Sequence, residues 1–152
     1  MVDMARRWRN YTDLPDADLR AIYEAVCPSG LMAHDVAVKN HAGRGRGVAY
    51  SEGSGYHSTA RPFVNVCLPK TERVARSRWQ AERGAGYLAV DIGSRLEAFV
   101  YILAHELRHL WQRKAKGKPR GMVYGAKGRM SERDACAYGL QMLRRYRRGE
   151  LL

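Results

Sequence analysis

Few residues in this sequence could cross-link the chain or anchor it in a membrane. Its 152 residues include three cysteines, Cys27, Cys67 and Cys136, and none of them has C-x-x-C spacing. We therefore expect free thiols, and neither a disulfide framework nor a cysteine zinc site. The longest apolar run, Ala98 to Ala104, is far shorter than a bilayer-spanning helix requires.

The amino-terminal segment also lacks the apolar stretch of a secretory signal. A cytoplasmic location without membrane contact is therefore expected. The length suits one domain, residues 1–152, and the hydrophobic fraction of 45% is ordinary for a globular protein. The sequence thus predicts a folded domain with a core of its own.

Acidic residues are scarce relative to basic ones. The chain has 27 lysines and arginines against 15 acids, which gives a net charge of +12. The excess is concentrated between Arg113 and Arg148, where the only acids are Glu132 and Asp134. This basic third predicts contact with a polyanion or nucleic acid, although a solvated arginine-rich surface explains the charge equally well. No helix-turn-helix, zinc-finger or RNA-recognition motif accompanies it.

The first half of the chain has the patterns of one short helix and several short strands. DLPDADLRAIYEAV, from Asp13 to Val26, has apolar residues at helical spacing, and Asp16 is its expected cap. Three later segments alternate apolar and polar residues between glycines: HDVAVKN, GRGRGVAYSEGSG and RPFVNVCLPK. YLAVDIG is either one more strand or an extended entry to the next helix. These segments predict a small antiparallel sheet and an α+β fold.

The strongest helix signal begins at Ser94. Ser94 and Glu97 form a capping box, in which Ser94 accepts from the backbone and Glu97 reaches back to it. Apolar residues follow nearly all round this helix, which we expect to be buried and to run to about Lys116. After a basic, glycine-rich loop, a last helix is predicted from Ser131 to Gly149.

The buried helix carries the motif HELRH. His105 and His109 are four residues apart, so both imidazoles project from one face and can bind one metal ion. Glu106 points about 100° round the helix, where it can take a proton from a metal-bound water. Without partners, these polar groups would destabilise a buried helix by a few kcal/mol, and one cation satisfies all three.

A catalytic zinc ion needs a third protein ligand. No histidine follows His109, and we expect Glu132, because small residues at 135 and 139 would let its helix face approach closely. Asp134 is expected to face solvent and to act as the N3 cap. The alternative ligands are Asp134 or an upstream histidine, and the helix dipole alone also favours an acid here. The upstream histidines are His34, His41 and His57.

HELRH, followed by a helix that opens SERDACAYG, resembles the zincin metallopeptidases of the gluzincin type. The resemblance covers residues 87–146 and extends to the small ImmA/IrrE-like and SprT-like peptidases, which share the short length and a small sheet before the active helix. It implies peptide-bond hydrolysis, with Glu106 as the general base for a zinc-bound water. The implied cofactor is Zn2+, and the implied ligands are His105, His109 and Glu132.

Two departures from these families are visible in the sequence. Many gluzincins carry Asp or Asn four residues after the ligand glutamate, where it orients a zinc-bound histidine. This chain has Cys136 there, so the hydrogen bond to the histidine is expected from another residue or is missing. SprT-like peptidases supply a third histidine after the motif, which this chain lacks.

The resemblance also implies groups that bind substrate. A donor to the developing oxyanion is expected, and Tyr124 and His57 are the candidates by position. Zincins bind peptide along a strand edge before the active helix. FVNVCL, Phe63 to Leu68, is the candidate strand, although an interior strand would have the same sequence pattern. The hypothesis is a metalloendopeptidase that acts on a protein or peptide. The alternatives are a basic nucleic-acid-associated protein and a zincin scaffold that binds a partner without hydrolysing it.

Overall fold

The structure is a computed structural model that describes residues 5–31, 33–43, 45–50, 62–79, 90–112 and 129–152. The helices in these ranges are α1 (Asp16–Val26), α2 (Glu72–Ala75), α3 (Arg95–Trp111) and α4 (Arg129–Arg147). The strands are β1 (Ala5–Asn10), β2 (His34–His41), β3 (Arg46–Tyr50), β4 (Phe63–Pro69), β5 (Ser77–Trp79) and β6 (Val90–Ile92). The predicted α+β class is confirmed.

The main sheet is mixed, and the prediction of an antiparallel sheet is wrong. Its strand order is β1-β2-β4-β3, in which β1 and β4 run parallel to β2 and only β3 runs antiparallel, to β4. The connection explains the first parallel pair, because α1 lies between β1 and β2 in the chain and such a crossover returns it in the same direction. β5 and β6 form a separate antiparallel pair.

Alternation along the strands turns one face of the main sheet toward the helices. Val36 and Val38 of β2 and Val64 and Val66 of β4 are at most 1% exposed, whereas the residues between them are only half-buried. α3 packs on this inner face against β3 and β4, and it also contacts α1 and α4. The helix that carries HELRH therefore lies in the core, as its all-round apolar pattern predicts.

The predicted capping of α3 is confirmed in part. The Ser94 hydroxyl accepts from the backbone N–H of Glu97 at 3.0 Å. The Glu97 carboxylate accepts from the N–H of Gly93 at 3.2 Å, one residue before the position that a capping box predicts. α3 ends at Trp111, and the predicted end at Lys116 lies outside the described residues.

The predicted cap of α1 is wrong. Pro15 occupies the cap position, and no side chain caps the helix. The Asp16 carboxylate instead accepts from the indole of Trp8 and from Arg20, each at 2.7 Å. An aspartate in the first turn still suits the helix dipole, so the helix forms without the cap.

Arg95 fixes the start of α3 to the sheet. Its side chain is only 4% exposed, and its Nε donates to the carbonyl oxygen of Pro69 at 2.7 Å. Its Nη2 donates to Asp13 at 2.9 Å and to Asn40 at 3.1 Å. A single guanidinium therefore connects the helix to the carboxyl ends of β2 and β4, and the sequence pattern did not indicate this role.

The last helix crosses close to α3, as predicted. α4 begins at Arg129, two residues before the predicted Ser131, and ends at Arg147. A Cβ atom added at Gly139 would lie 3.0 Å from the carbonyl oxygen of Tyr101, and Ala135 is fully buried. Small side chains thus allow the two helices to approach. In the part of the chain that is described, no helix has the length and apolarity to cross a membrane.

Candidate metal centre

Three side chains of α3 and α4 converge on one point. His105 and His109 project from the same face of α3, one turn apart, and Glu132 reaches them from the first turn of α4. The Nε2 atoms of the two histidines are 3.0 Å apart. Glu132 Oε1 lies 2.9 Å from Nε2 of His109, and its Oε2 lies 3.3 Å from Nε2 of His105.

These distances are slightly shorter than those in the donor set of a tetrahedral zinc site. Zinc bonds of about 2.0–2.2 Å place the ligand atoms of a tetrahedron about 3.3–3.6 Å apart, so small outward shifts would accommodate the ion. Oε2 of Glu132 is buried and has no hydrogen-bond partner among the described residues. Two imidazole nitrogens and a carboxylate oxygen are also donors that zinc prefers. The residues present therefore fit a metal ion.

A hydrogen-bond chain fixes the orientation of His109. Arg108 donates to Asp134 at 2.5 and 3.1 Å, which keeps the carboxylate ionised and able only to accept. The amide nitrogen of Gln112 donates to Asp134 at 3.1 Å, so the amide oxygen faces Nδ1 of His109 at 3.0 Å. Nδ1 must then carry the proton, and the lone pair of neutral His109 is on Nε2, facing the cluster.

Asp134 has a different role from the predicted one. It was expected to face solvent as a helix cap, but its half-buried carboxylate joins α4 to α3 through Arg108 and Gln112. Burial opposes ionisation of Asp134, but the hydrogen bonds from Arg108 and Gln112 outweigh it and lower its pKa. The ion pair between helices explains the difference, because it takes the carboxylate away from the backbone of its own helix.

Cys136 occupies the place where the resemblance implies an acid or amide. Its sulfur lies 3.4 Å from Nδ1 of His105, and the residue is 5% exposed. When Nδ1 carries the proton, the sulfur is its acceptor, and a weaker one than a carboxylate. His105 can then also present the Nε2 lone pair to the cluster. All three cysteines are free thiols, as expected, and Cys136 is the buried one.

The electrostatics of the cluster favour a cation between its members. Burial disfavours charge on His105, but its contacts with Cys136 and Glu132 outweigh this and raise its pKa to about 10. Burial also disfavours charge on His109, but its hydrogen bond with Glu132 outweighs this and raises the pKa of His109. Burial would raise the pKa of Glu132, but the two histidines hold it well below its usual range. The site therefore holds an ionised carboxylate that attracts positive charge.

Glu106 lies beside the cluster and under the edge of the sheet. Its Oε1 is 4.0 Å from Nε2 of His105, and the residue is 7% exposed. Gly47 of β3 covers it, since a Cβ atom there would lie 2.7 Å from Oε1 of Glu106 and 2.7 Å from Cγ2 of Ile102. Only a glycine lets the strand pass at this distance. Glu106 is thus near the cluster without belonging to it, as the helical spacing predicts.

The other candidate ligands lie apart from this cluster. His34 is fully buried, and its Nε2 is 2.9 Å from the hydroxyl of Tyr23. Nδ1 of His41 accepts from the backbone N–H of Gly43 at 2.9 Å. Two further candidates lie outside the described residues: one was expected as an oxyanion donor, and the other both as an oxyanion donor and as an upstream ligand. These two residues are Tyr124 and His57.

FVNVCL does not form a sheet edge, so the prediction that this segment binds peptide is wrong. β4, which contains it, lies between β2 and β3. An interior strand has both backbone edges hydrogen-bonded and cannot take another strand. β3 is the outer strand on this side, and it is also the strand that covers Glu106.

Sequence reasoning missed three residues that shape the site. Gln112 follows His109 by three residues, a spacing that brings two side chains together on a helix, so a local signal existed. Arg108 depends on a partner 26 residues away, and Gly47 depends on the path of the sheet. Neither of those two relations can be inferred from a local pattern.

Comparisons of the chain with protein-family models, curated proteins and solved structures find no match. The function must therefore be inferred from the geometry of this site.

Proposed function

We propose that this chain is a zinc-dependent metalloendopeptidase of the gluzincin type. One observation carries the proposal: His105, His109 and Glu132 converge from two helices with the spacing of a zinc donor set, and Glu106 stands beside them. A structural zinc site would use four protein ligands, whereas three ligands with a neighbouring carboxylate are typical of a hydrolytic site. The described cluster has three.

A zinc ion bound here would supply a Lewis acid and a water of lowered pKa. The residues of the chain divide the remaining work. Glu106 accepts a proton from the attacking water and returns it to the leaving amine, because it is near the cluster but not part of it. His109 is held in the required tautomer by Gln112, and His105 is oriented by Cys136.

The peptide substrate is proposed to bind along β3. Among the described strands, β3 is paired on one side only, with β4. An extended peptide can add to such an edge through main-chain hydrogen bonds. Because Gly47 of β3 covers Glu106, a peptide on this edge would bring its carbonyl groups next to the proposed general base.

Zinc content is the first test of this proposal. Elemental analysis after exhaustive dialysis should give near-stoichiometric zinc for the wild type and for Glu106→Gln. Glu132→Ala should lose it, and the exposed residue Glu24 provides the matched control Glu24→Ala. Hydrolysis of a quenched fluorescent peptide library should fall at least about 100-fold in Glu106→Gln, because a general base contributes about 10²–10⁴-fold.

Each alternative result has a defined meaning. Zinc retained by Glu132→Ala would move the third ligand to another residue. No zinc in any variant, even after supplementation, would reject the metal site. Stoichiometric zinc without hydrolysis of any peptide would support a zincin scaffold that binds a partner.

A further inference from the structure

The main sheet has a second face, opposite α3, that the proposed function does not use. We define this outer face by the alternate residues that point away from the buried valines. Across β1, β2 and β4, one row of this face consists of Arg7, Asp35 and Phe63. The next row consists of Arg9, Ala37 and Asn65. Lys39 pairs with Cys67, which pairs with Arg46.

The outer face is strongly cationic. It carries four exposed basic side chains and one carboxylate, Asp35. The arginine ion pairs between described residues involve none of these four cations. Among the described residues, no ion pair neutralises their charge, which can attract an anionic partner. The four basic residues are Arg7, Arg9, Lys39 and Arg46.

The face also has a cleft with aromatic residues beside it. Ala37 and Asn65 are small and form a depression between flanking side chains, and the cleft has a volume of about 260 Å³. Tyr11 is 56% exposed and Phe63 lines the cleft. Arg9 donates to the hydroxyl of Tyr11 at 3.3 Å, so a cation and an aromatic ring lie side by side.

We propose that this outer face binds single-stranded nucleic acid. The basic side chains can follow the phosphate backbone and the exposed ring of Tyr11 can stack on a base, which is the combination that single-strand binding proteins use. A four-stranded sheet with an open face is one known platform for such stacking. The cleft is open and slightly smaller than the roughly 300–1,000 Å³ of small-molecule pockets, which suits an extended strand better.

An acidic peptide fits the same face less well. The cations would attract it, but the carboxylate of Asp35 would repel its acidic groups, and these groups would not stack on the exposed ring of Tyr11. Amino groups of nucleobases can instead donate to an aspartate. The basic carboxyl-terminal helix is also less suitable among the described residues, because Arg147 and Arg148 are paired with Glu97 and Glu150.

The test is fluorescence anisotropy with the full chain and a fluorescein-labelled single-stranded DNA of about 20 nucleotides. Arg7→Gln combined with Arg9→Gln removes two cations of the face. Arg73→Gln combined with Arg144→Gln removes two exposed helical cations and keeps the net charge equal. Each lost phosphate contact should reduce the salt slope by about 0.7, so affinity at 0.1 M salt should fall roughly 25-fold for the face variant only.

Tyr11→Ser tests the stacking separately. It should weaken binding about tenfold and leave the salt slope unchanged, because stacking does not release counterions. Circular dichroism and zinc content establish that each variant is folded. Equal losses in the face and control variants would show attraction to net charge alone and overturn the proposal. Absence of binding would also overturn the proposal. So would displacement of the DNA by an equal concentration of polyglutamate, if Tyr11→Ser had no effect on binding.

Discussion

His109 presents its lone pair to the proposed metal position only while Gln112 accepts the proton on Nδ1. Gln112 is 1% exposed and is itself fixed by Asp134. Gln112→Met keeps the volume but removes the acceptor, so the ring can rotate or change tautomer. We expect the zinc dissociation constant to rise about 10–100-fold, the usual effect of losing such a partner.

This expectation can be measured by competition with a chelating dye. The matched control is Gln141→Met, which makes the same change at an exposed position of α4. Thermal unfolding of the metal-free variants separates a positioning role from a loss of fold. An unchanged dissociation constant in folded Gln112→Met would show that the chain from Arg108 to His109 does not orient the ligand.

Among the described glycines, Gly47 is the one where an added methyl group would meet Glu106, the proposed general base. The added Cβ would lie 2.7 Å from Oε1 of Glu106, so either the carboxylate or β3 must move. The rate of peptide hydrolysis should therefore fall at least about tenfold in Gly47→Ala, since displacement of a catalytic group by about 1 Å can reduce a rate about 10²-fold. The zinc content should stay that of the wild type.

Val48→Ala is the control for this prediction, because it alters the next residue on the same strand, which points to the outer face. Peptide hydrolysis and zinc per chain should both be measured. If Gly47→Ala keeps full activity, Glu106 does not act from the position described here.

At the scale of whole elements, α3 and most of its neighbours were predictable, but strand β1 and the directions of the strands were not. α3 has a capping serine and apolar residues at helical spacing, and both are local signals. β1 has Arg7, Trp8 and Arg9, which is too short an alternation to mark a strand. Because β1 was missed, the unit β1-α1-β2 was missed, and with it the parallel pairing of β1 with β2.

The sequence predicted which face of α4 packs against α3, because that face carries small residues, but it did not predict the charged pairs between the two helices. The stripe at 135 and 139 indicated the approaching face, and Glu132 on that face reaches the histidines. Asp134 was placed on the wrong side because its partner, Arg108, belongs to another helix. Which charged side chain pairs across two helices depends on their crossing, which no local pattern contains.

Arg95 gives the docking of α3 a test of its own. Arg95→Met removes the donor to the buried carbonyl of Pro69 and the contact with Asn40. An unpaired buried polar group costs about 1–3 kcal/mol, so the free energy of unfolding should fall by roughly that amount. The ion pair with Asp13 adds little, because that carboxylate is 75% exposed.

Urea unfolding of the metal-free chain measures this change. Arg73→Met is the control, since Arg73 is exposed on the short helix α2. A loss of stability in Arg95→Met no larger than in Arg73→Met would mean that the buried guanidinium does not tie the helix to the sheet.

For the molecule as a whole, the proposed metal site couples stability to pH. Its ligands come from α3 and α4, so an ion bound there joins two elements of the core and stabilises the folded chain. A proton and the ion compete for the same imidazoles. With rising pH the metal-free chain should therefore lose stability, while the stability of the zinc-loaded chain should stay nearly constant.

In the metal-free chain, folding raises the pKa of His105 from 6.5 to about 10. The proton is thus bound more tightly in the folded state, and the stability it contributes is complete below pH 6.5 and is lost as the pH rises through 10. The stabilisation by zinc should grow over the same window, because deprotonated imidazoles bind it. Thermal unfolding of chelated and zinc-loaded protein across this pH range measures both. A gap between the two melting temperatures that does not widen with pH would mean that His105 is not a ligand.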